Sequence, residues 1–132
     1  MDELFTAAVA ARANAHPPYS HFQVGAALAA DDGRIFAGCN VESSSYGLTM
    51  CAERNAVFHA YAAGARRFKR IVVVADTPAP TSPCGACRQV LYDLCGGDLQ
   101  VDLANLKGVQ RSFRLRDLLP EAFDAGLLPG SH

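Results

Sequence analysis

The segment Lys69-Arg70-Ile71-Val72-Val73-Val74-Ala75-Asp76 decides the fold. Ile71 to Ala75 is an unbroken apolar run, bounded by Lys69-Arg70 before it and by the Pro78/Pro80 turn region after it. A β-branched run with no polar alternation has no face for solvent, which predicts a central strand covered on both sides. Upstream, residues 51–63 place Ala, Glu and Arg at positions of high helix propensity, after a Ser-, Gly- and Thr-rich loop over 41–49. Downstream, Pro83 precedes Cys84-Gly85-Ala86-Cys87, and Val90, Leu91 and Leu94 keep helical spacing until Gly96-Gly97 stops it. The central strand therefore lies between two helices.

Farther out, Leu4, Phe5, Ala8, Val9 and Ala11 predict a helix over residues 2–14, ended by Pro17-Pro18. Residues 22–30 and 34–40 read as antiparallel strands around Asp32-Gly33. Residues 99–104 and 110–115 read as a second hairpin turning at 105–108, followed by a short Leu118/Leu119 segment. The order αββαβαββ with a helical tail implies an α/β protein: a three-layer α/β/α sandwich on a mixed five-stranded sheet, because terminal hairpins cannot belong to a purely parallel one. A chain of 132 residues is expected to form a single domain over 1–132.

Twelve Lys and Arg against thirteen Asp and Glu leave a net charge of −1, which disfavours a polynucleotide partner and favours a small substrate. The basic cluster Arg66, Arg67, Lys69 and Arg70 reads as a solvated loop. No apolar run approaches the ~20 residues of a membrane helix, and the N-terminus lacks the basic start of a signal peptide, so a cytoplasmic location is expected. Five cysteines in such a chain favour metal or thiol chemistry over a disulfide framework.

Spacing selects among them. Cys51-Ala52-Glu53-Arg54 opens one predicted helix and Cys84-Gly85-Ala86-Cys87 opens another. A helix N-terminus carries partial positive charge that favours a thiolate, and Cys84 and Cys87 share one helical face, so Cys51, Cys84 and Cys87 can grip one zinc ion. Three protein ligands leave a coordination position for water, the arrangement of a hydrolytic centre rather than a structural one. Glu53 is too near Cys51 in sequence to be a convincing ligand and is well placed as the general acid/base. Arg54 is assigned to offset the negative charge of the sulfurs. Cys39 and Cys95 read as buried thiols outside the site. His16, His21, His59 and His132 lack mutual metal spacing.

Zinc deaminases share this arrangement, including a three-cysteine form with a non-ligating glutamate. The chain resembles the cytidine deaminases of small, homotetrameric type over nearly its whole length. Besides CAER and PCGACRQ, Pro18-Tyr19-Ser20, Phe22 and Val24 to Leu28 resemble that family's first strand, and Gly38-Cys39-Asn40-Val41-Glu42 its ribose-binding loop. The resemblance implies the cytidine deaminase-like fold and hydrolytic deamination of a free cytidine-type nucleoside in pyrimidine salvage. It implies Phe22 stacking on the pyrimidine, Asn40 and Glu42 bonding the ribose hydroxyls, and the backbone of Ala52 helping to hold the base. By the same resemblance Phe123 is contributed by a neighbouring subunit.

Taken alone, Phe22 reads better as a core residue and Asn40 or Glu42 as a cap of the following loop, while Phe123 would equally pack against its own domain. The family commonly shows Asn-Ala where this chain has Ser43-Ser44-Ser45, which leaves room for a modified base or sugar. A deaminase of an aminonucleoside antibiotic such as blasticidin S is the neighbouring alternative. A non-catalytic structural zinc domain is the alternative from another class.

Overall fold

The computed structural model describes residues 2–79 and 81–128; Pro80 of the turn region and His132 lie outside them. The elements are helix α1 (Glu3–Arg12), strands β1 (Val24–Ala30) and β2 (Ile35–Cys39), helix α2 (Ala52–Ala62), strand β3 (Phe68–Ala75), helix α3 (Gly85–Cys95), strands β4 (Gln100–Asn105) and β5 (Gly108–Arg114), and the short helix α4 (Leu115–Leu118). Single-turn 3-10 segments occur at Tyr46–Leu48 and Ala125–Leu127. The five strands form one mixed sheet in the order β2-β1-β3-β4-β5, in which β3 and β4 are parallel and all other pairs antiparallel. The expected fold class and element order are those observed.

The apolar run behaves as its composition requires. On β3, Ile71 and Val73 join the core beneath α2 and α3, while Val72 and Val74 join the one beneath α1. Neighbouring β1 divides in the same way, with Ala26, Leu28 and Ala30 on one face and Ala27 and Ala29 on the other. Strict alternation across a buried sheet thus yields three layers. Small residues set the spacing between them: Ala52, Ala56 and Ala60 of α2 have no solvent exposure. A Cβ on Gly38 of β2 would lie 2.5 Å from Ala56 N and 2.7 Å from Ala52 O, and one on Gly25 of β1 would lie 2.1 Å from Ala8 O. Helix backbone rests directly on strand backbone at both places.

The structure departs from expectation in two places. Phe68, Lys69 and Arg70 belong to β3, so the basic cluster is only partly a loop. Arg70 bonds both carboxylate oxygens of Asp2, the N-cap of α1, and donates through Nε to the buried Asp102 of β4 at 2.5 Å. Charge density alone could not show that two carboxylates from distant segments face this arginine. The first hairpin turns through four residues, 31–34, with Gly33 at φ 94°, a conformation that suits glycine. Among the described residues no helix is long and apolar enough to cross a membrane.

Gly38→Ala is expected to lower stability by about 1–3 kcal/mol, because backbone has to move to admit the methyl group; urea unfolding measures this. Asp2→Asn keeps a capping side chain and removes the charge, at a cost of about 0.5–1 kcal/mol at neutral pH. The Arg70 side chain first, aided by its charge and the Leu4 amide, holds the Asp2 carboxyl below its ordinary value against a smaller effect of burial. A depressed carboxyl pKa stabilises the fold above the unfolded-state value, and that contribution fades as pH falls through the folded value. The gap between the native chain and Asp2→Asn should therefore be constant above about pH 5 and close in more acidic solution.

Candidate active site

Helix α2 runs back along the sheet into β3, and α3 leaves from the end of β3, so both helices begin at the same edge. Cys51 is the N-cap of α2 and Cys84 the N-cap of α3, and neither sulfur is used in a capping hydrogen bond. Cys87 follows one turn into α3 and is fully buried. The Cys51 and Cys84 sulfurs lie 3.7 Å apart, those of Cys84 and Cys87 3.2 Å apart, and all three fall within 4.8 Å of one another. Tetrahedral zinc with Zn–S bonds of about 2.3 Å needs sulfurs about 3.8 Å apart, so this soft, three-thiol donor set fits zinc.

The surroundings favour the charged form of one of these thiols. Cys51 is lowered to about 5, first by hydrogen bonding from the Cys87 thiol and then by Arg54 and Cys84, against burial. Cys87 is pushed up as the donor to Cys51 and by its own burial. Arg54 Nη2 lies 3.5 Å from Cys51 Sγ, while its buried Nε has no hydrogen-bond partner among the described residues. Glu53, on the first turn of α2, is only 4% exposed, and burial above all raises its carboxyl to about 7.

A cavity of about 310 Å³ opens beside the cluster, lined by Phe22, Asn40, Glu42, Cys51, Ala52, Glu53 and Cys84 among others. Seven candidate residues from four separate stretches of sequence thus meet at one cavity. The Asn40 side chain bridges two backbone groups, accepting from Val24 N and donating to Phe22 O, both at 2.8 Å. Its amide retains one further donor and acceptor capacity. Glu42 accepts from Tyr19 N and Ser20 N at 3.0 Å and from the Ser20 hydroxyl. The Ser20 hydroxyl and then its amide hold the Glu42 carboxyl below its ordinary value. Phe22, 39% exposed, presents a ring to the cavity.

Phe123 is not among this cavity's lining residues; it is 57% exposed, and its carbonyl accepts from Gln89 Nε2 at 3.1 Å. Cys39 and Cys95 lie outside the cluster, both partly buried rather than fully so, and burial pushes the Cys95 thiol up to about 12. Sequence reasoning missed Thr49, Thr81 and Ser82 on the cavity wall. Ser82 adjoins the Pro83-Cys84 motif and could have been found by extending that motif backwards; Thr49 and Thr81 carry no local signal.

The fold and the cluster define a zinc-binding α/β protein with a thiol-rich centre at paired helix N-termini. Residues 1–101 match the family described as the cytidine and deoxycytidylate deaminase zinc-binding region. The cytidine deaminase of Sporosarcina psychrophila is 51% identical over 123 residues, covering 93% of this chain and 90% of that protein. That of Halalkalibacterium halodurans is 52% identical over 122 residues, covering 92% of each. The crystal structure of cytidine deaminase from Burkholderia pseudomallei superposes with a TM-score of 0.89 at 53% identity, covering 93% of this chain and all of that one. The chain belongs to the cytidine and deoxycytidylate deaminase family, and it is a zinc enzyme of that type.

Cys87→Ala is expected to abolish stoichiometric zinc binding, measured by elemental analysis of the purified protein, and to lower the melting temperature because zinc binding is linked to folding.

Proposed function

We propose that this enzyme hydrolytically deaminates free cytidine and 2′-deoxycytidine to uridine and 2′-deoxyuridine, releasing ammonia. The carrying observation is that Glu53, Cys51 and Cys84 of the cysteine cluster, and the base- and sugar-recognition candidates Phe22, Asn40 and Glu42 all line one cavity of about 310 Å³. That volume is at the small end for ligand sites and suits a nucleoside. The identities to cytidine deaminases support the substrate.

Cys51, Cys84 and Cys87 would hold the zinc, which when bound would supply a Lewis acid that lowers the pKa of water toward neutrality. Glu53, poised near pH 7 by its burial, accepts the proton of the attacking water on a carboxylate oxygen and gives it to the ring nitrogen adjacent to C4. With the hydroxyl bonded to C4, Glu53 takes the remaining hydroxyl proton and passes it to the amine; the C4–O bond becomes a carbonyl as the C–N bond breaks, and ammonia leaves. Arg54 offsets the charge on the sulfurs from beside Cys51. The free backbone N–H of Ala52 at the start of α2 is a donor for the base, since the first helical bond runs from Asn55 N to Cys51 O.

Phe22 stacks on the pyrimidine, and Asn40 and Glu42 use their remaining hydrogen-bonding capacity on the ribose hydroxyls. Their backbone partners hold both side chains in place, so a free base, with no sugar hydroxyl to offer, leaves polar groups unpaired. Residues 1–132 act as one catalytic domain in a cytoplasmic homotetramer, with no nucleic-acid or membrane partner. The exposed Phe123 ring is the residue passed to a neighbouring subunit's pocket.

Ultraviolet absorbance of cytidine with zinc-loaded protein should move to the uridine spectrum. Glu53→Gln should keep its zinc and lose turnover by at least about a hundredfold, the scale of general acid–base catalysis. Absence of turnover by zinc-loaded native protein would sink the cytidine assignment, and full turnover by Glu53→Gln would remove Glu53 from its role.

A further inference from the structure

Arg88 follows Cys87 on the first turn of α3, and its guanidinium reaches three separate points of the chain through three different nitrogens. Nε donates to the Pro83 carbonyl at 2.9 Å, Nη2 to the Ser82 hydroxyl at 2.5 Å, and Nη1 to the Leu118 carbonyl at 2.7 Å. Thr81, Ser82 and Cys84 line the cavity, yet residues 81–84 belong to no helix or strand, so no backbone ladder fixes this lip. Leu118 ends α4, and from there the chain continues to Phe123, which the adjacent Gln89 holds by its carbonyl.

We propose that Arg88 is a positioning residue, which sets the lip formed by residues 81–84 over the cavity and fastens it to the C-terminal segment carrying Phe123. Its effect on the metal passes through Cys84, at the end of the lip, and its effect on substrate through Ser82 and Thr81 on the wall. The planar fork matters more than the charge, because one ammonium group cannot occupy three acceptors set around a guanidinium plane. Only the kinetic arm of the test rests on the cytidine deaminase reading.

Arg70 offers a matched control on the opposite face of the sheet, where its fork joins Asp2 to Asp102 far from the lip. Arg88→Lys and Arg88→Gln are compared with Arg70→Lys in the zinc-loaded, full-length protein. The readouts are zinc release to a chromophoric chelator, kcat and KM for cytidine, and melting temperature. Both Arg88 variants are expected to release zinc about tenfold faster, the lower end for loss of a group that orients a ligand, and to raise KM more than they lower kcat. Arg70→Lys is expected to lower the melting temperature with zinc release and KM within about twofold of native, as befits distant, independent sites. The proposal is overturned if Arg88→Lys matches the native protein in zinc release and KM, or if Arg70→Lys moves both as far. Should the native protein not act on cytidine, the function reading fails while the zinc-release comparison still decides the role of Arg88.

Discussion

Two helices beginning at one point is the constraint on which the site depends. Because β3 and β4 are parallel, α3 must run back across the sheet between them, and α2 must do the same to enter β3. Both helices therefore start at the C-terminal end of β3, the edge where ligands gather in open α/β sheets. Cys51 and Cys84 occupy equivalent N-cap positions on the two helices, and Cys87 lies one turn further in. The donor set is made by the connectivity of the sheet, and the partial positive charge of two helix ends favours thiolates there.

That arrangement is useful only if the helices are held at a set height. The zero-exposure Ala52, Ala56 and Ala60 give α2 a flat inner face, and Gly38 lets its backbone sit against β2. The close fit also buries Glu53, one residue past Ala52, and so raises its carboxyl toward neutrality. Packing density and the raised Glu53 pKa are thus two results of the same contact. On the other face the Asp2, Arg70 and Asp102 network joins the start of α1 to β3 and β4, so the layer that carries no site residue secures the strand on which the site depends.

Much of this is legible in the residues. The period of Ile71 to Ala75, the glycine stops at Gly33 and Gly96, and the proline before Cys84 each act through local backbone preference, which survives without tertiary context. The Cys51, Glu53, Cys84 and Cys87 pattern is legible because metal chemistry restricts both the residue types and their spacing along a helix. The strand assignment of Phe68 to Arg70 was hidden because a charged residue is accepted in a strand when distant carboxylates neutralise it. Thr49 and Thr81 were hidden because a small hydroxyl side chain on a loop looks the same whether it faces a cavity or water.

By itself the sequence determined the fold class, the element order and the three cysteines of the metal cluster, since these follow from periodicity and from the short-range geometry of helix starts. Tertiary structure alone decided that Phe22, Asn40 and Glu42 share a cavity with Glu53, and that Asn40 and Glu42 are held by backbone groups of the neighbouring loop. It alone decided that Arg88 joins three segments. Such placements depend on how strands order themselves across a sheet and how closely helix backbone approaches them, and those distances are set by packing between residues far apart in the chain.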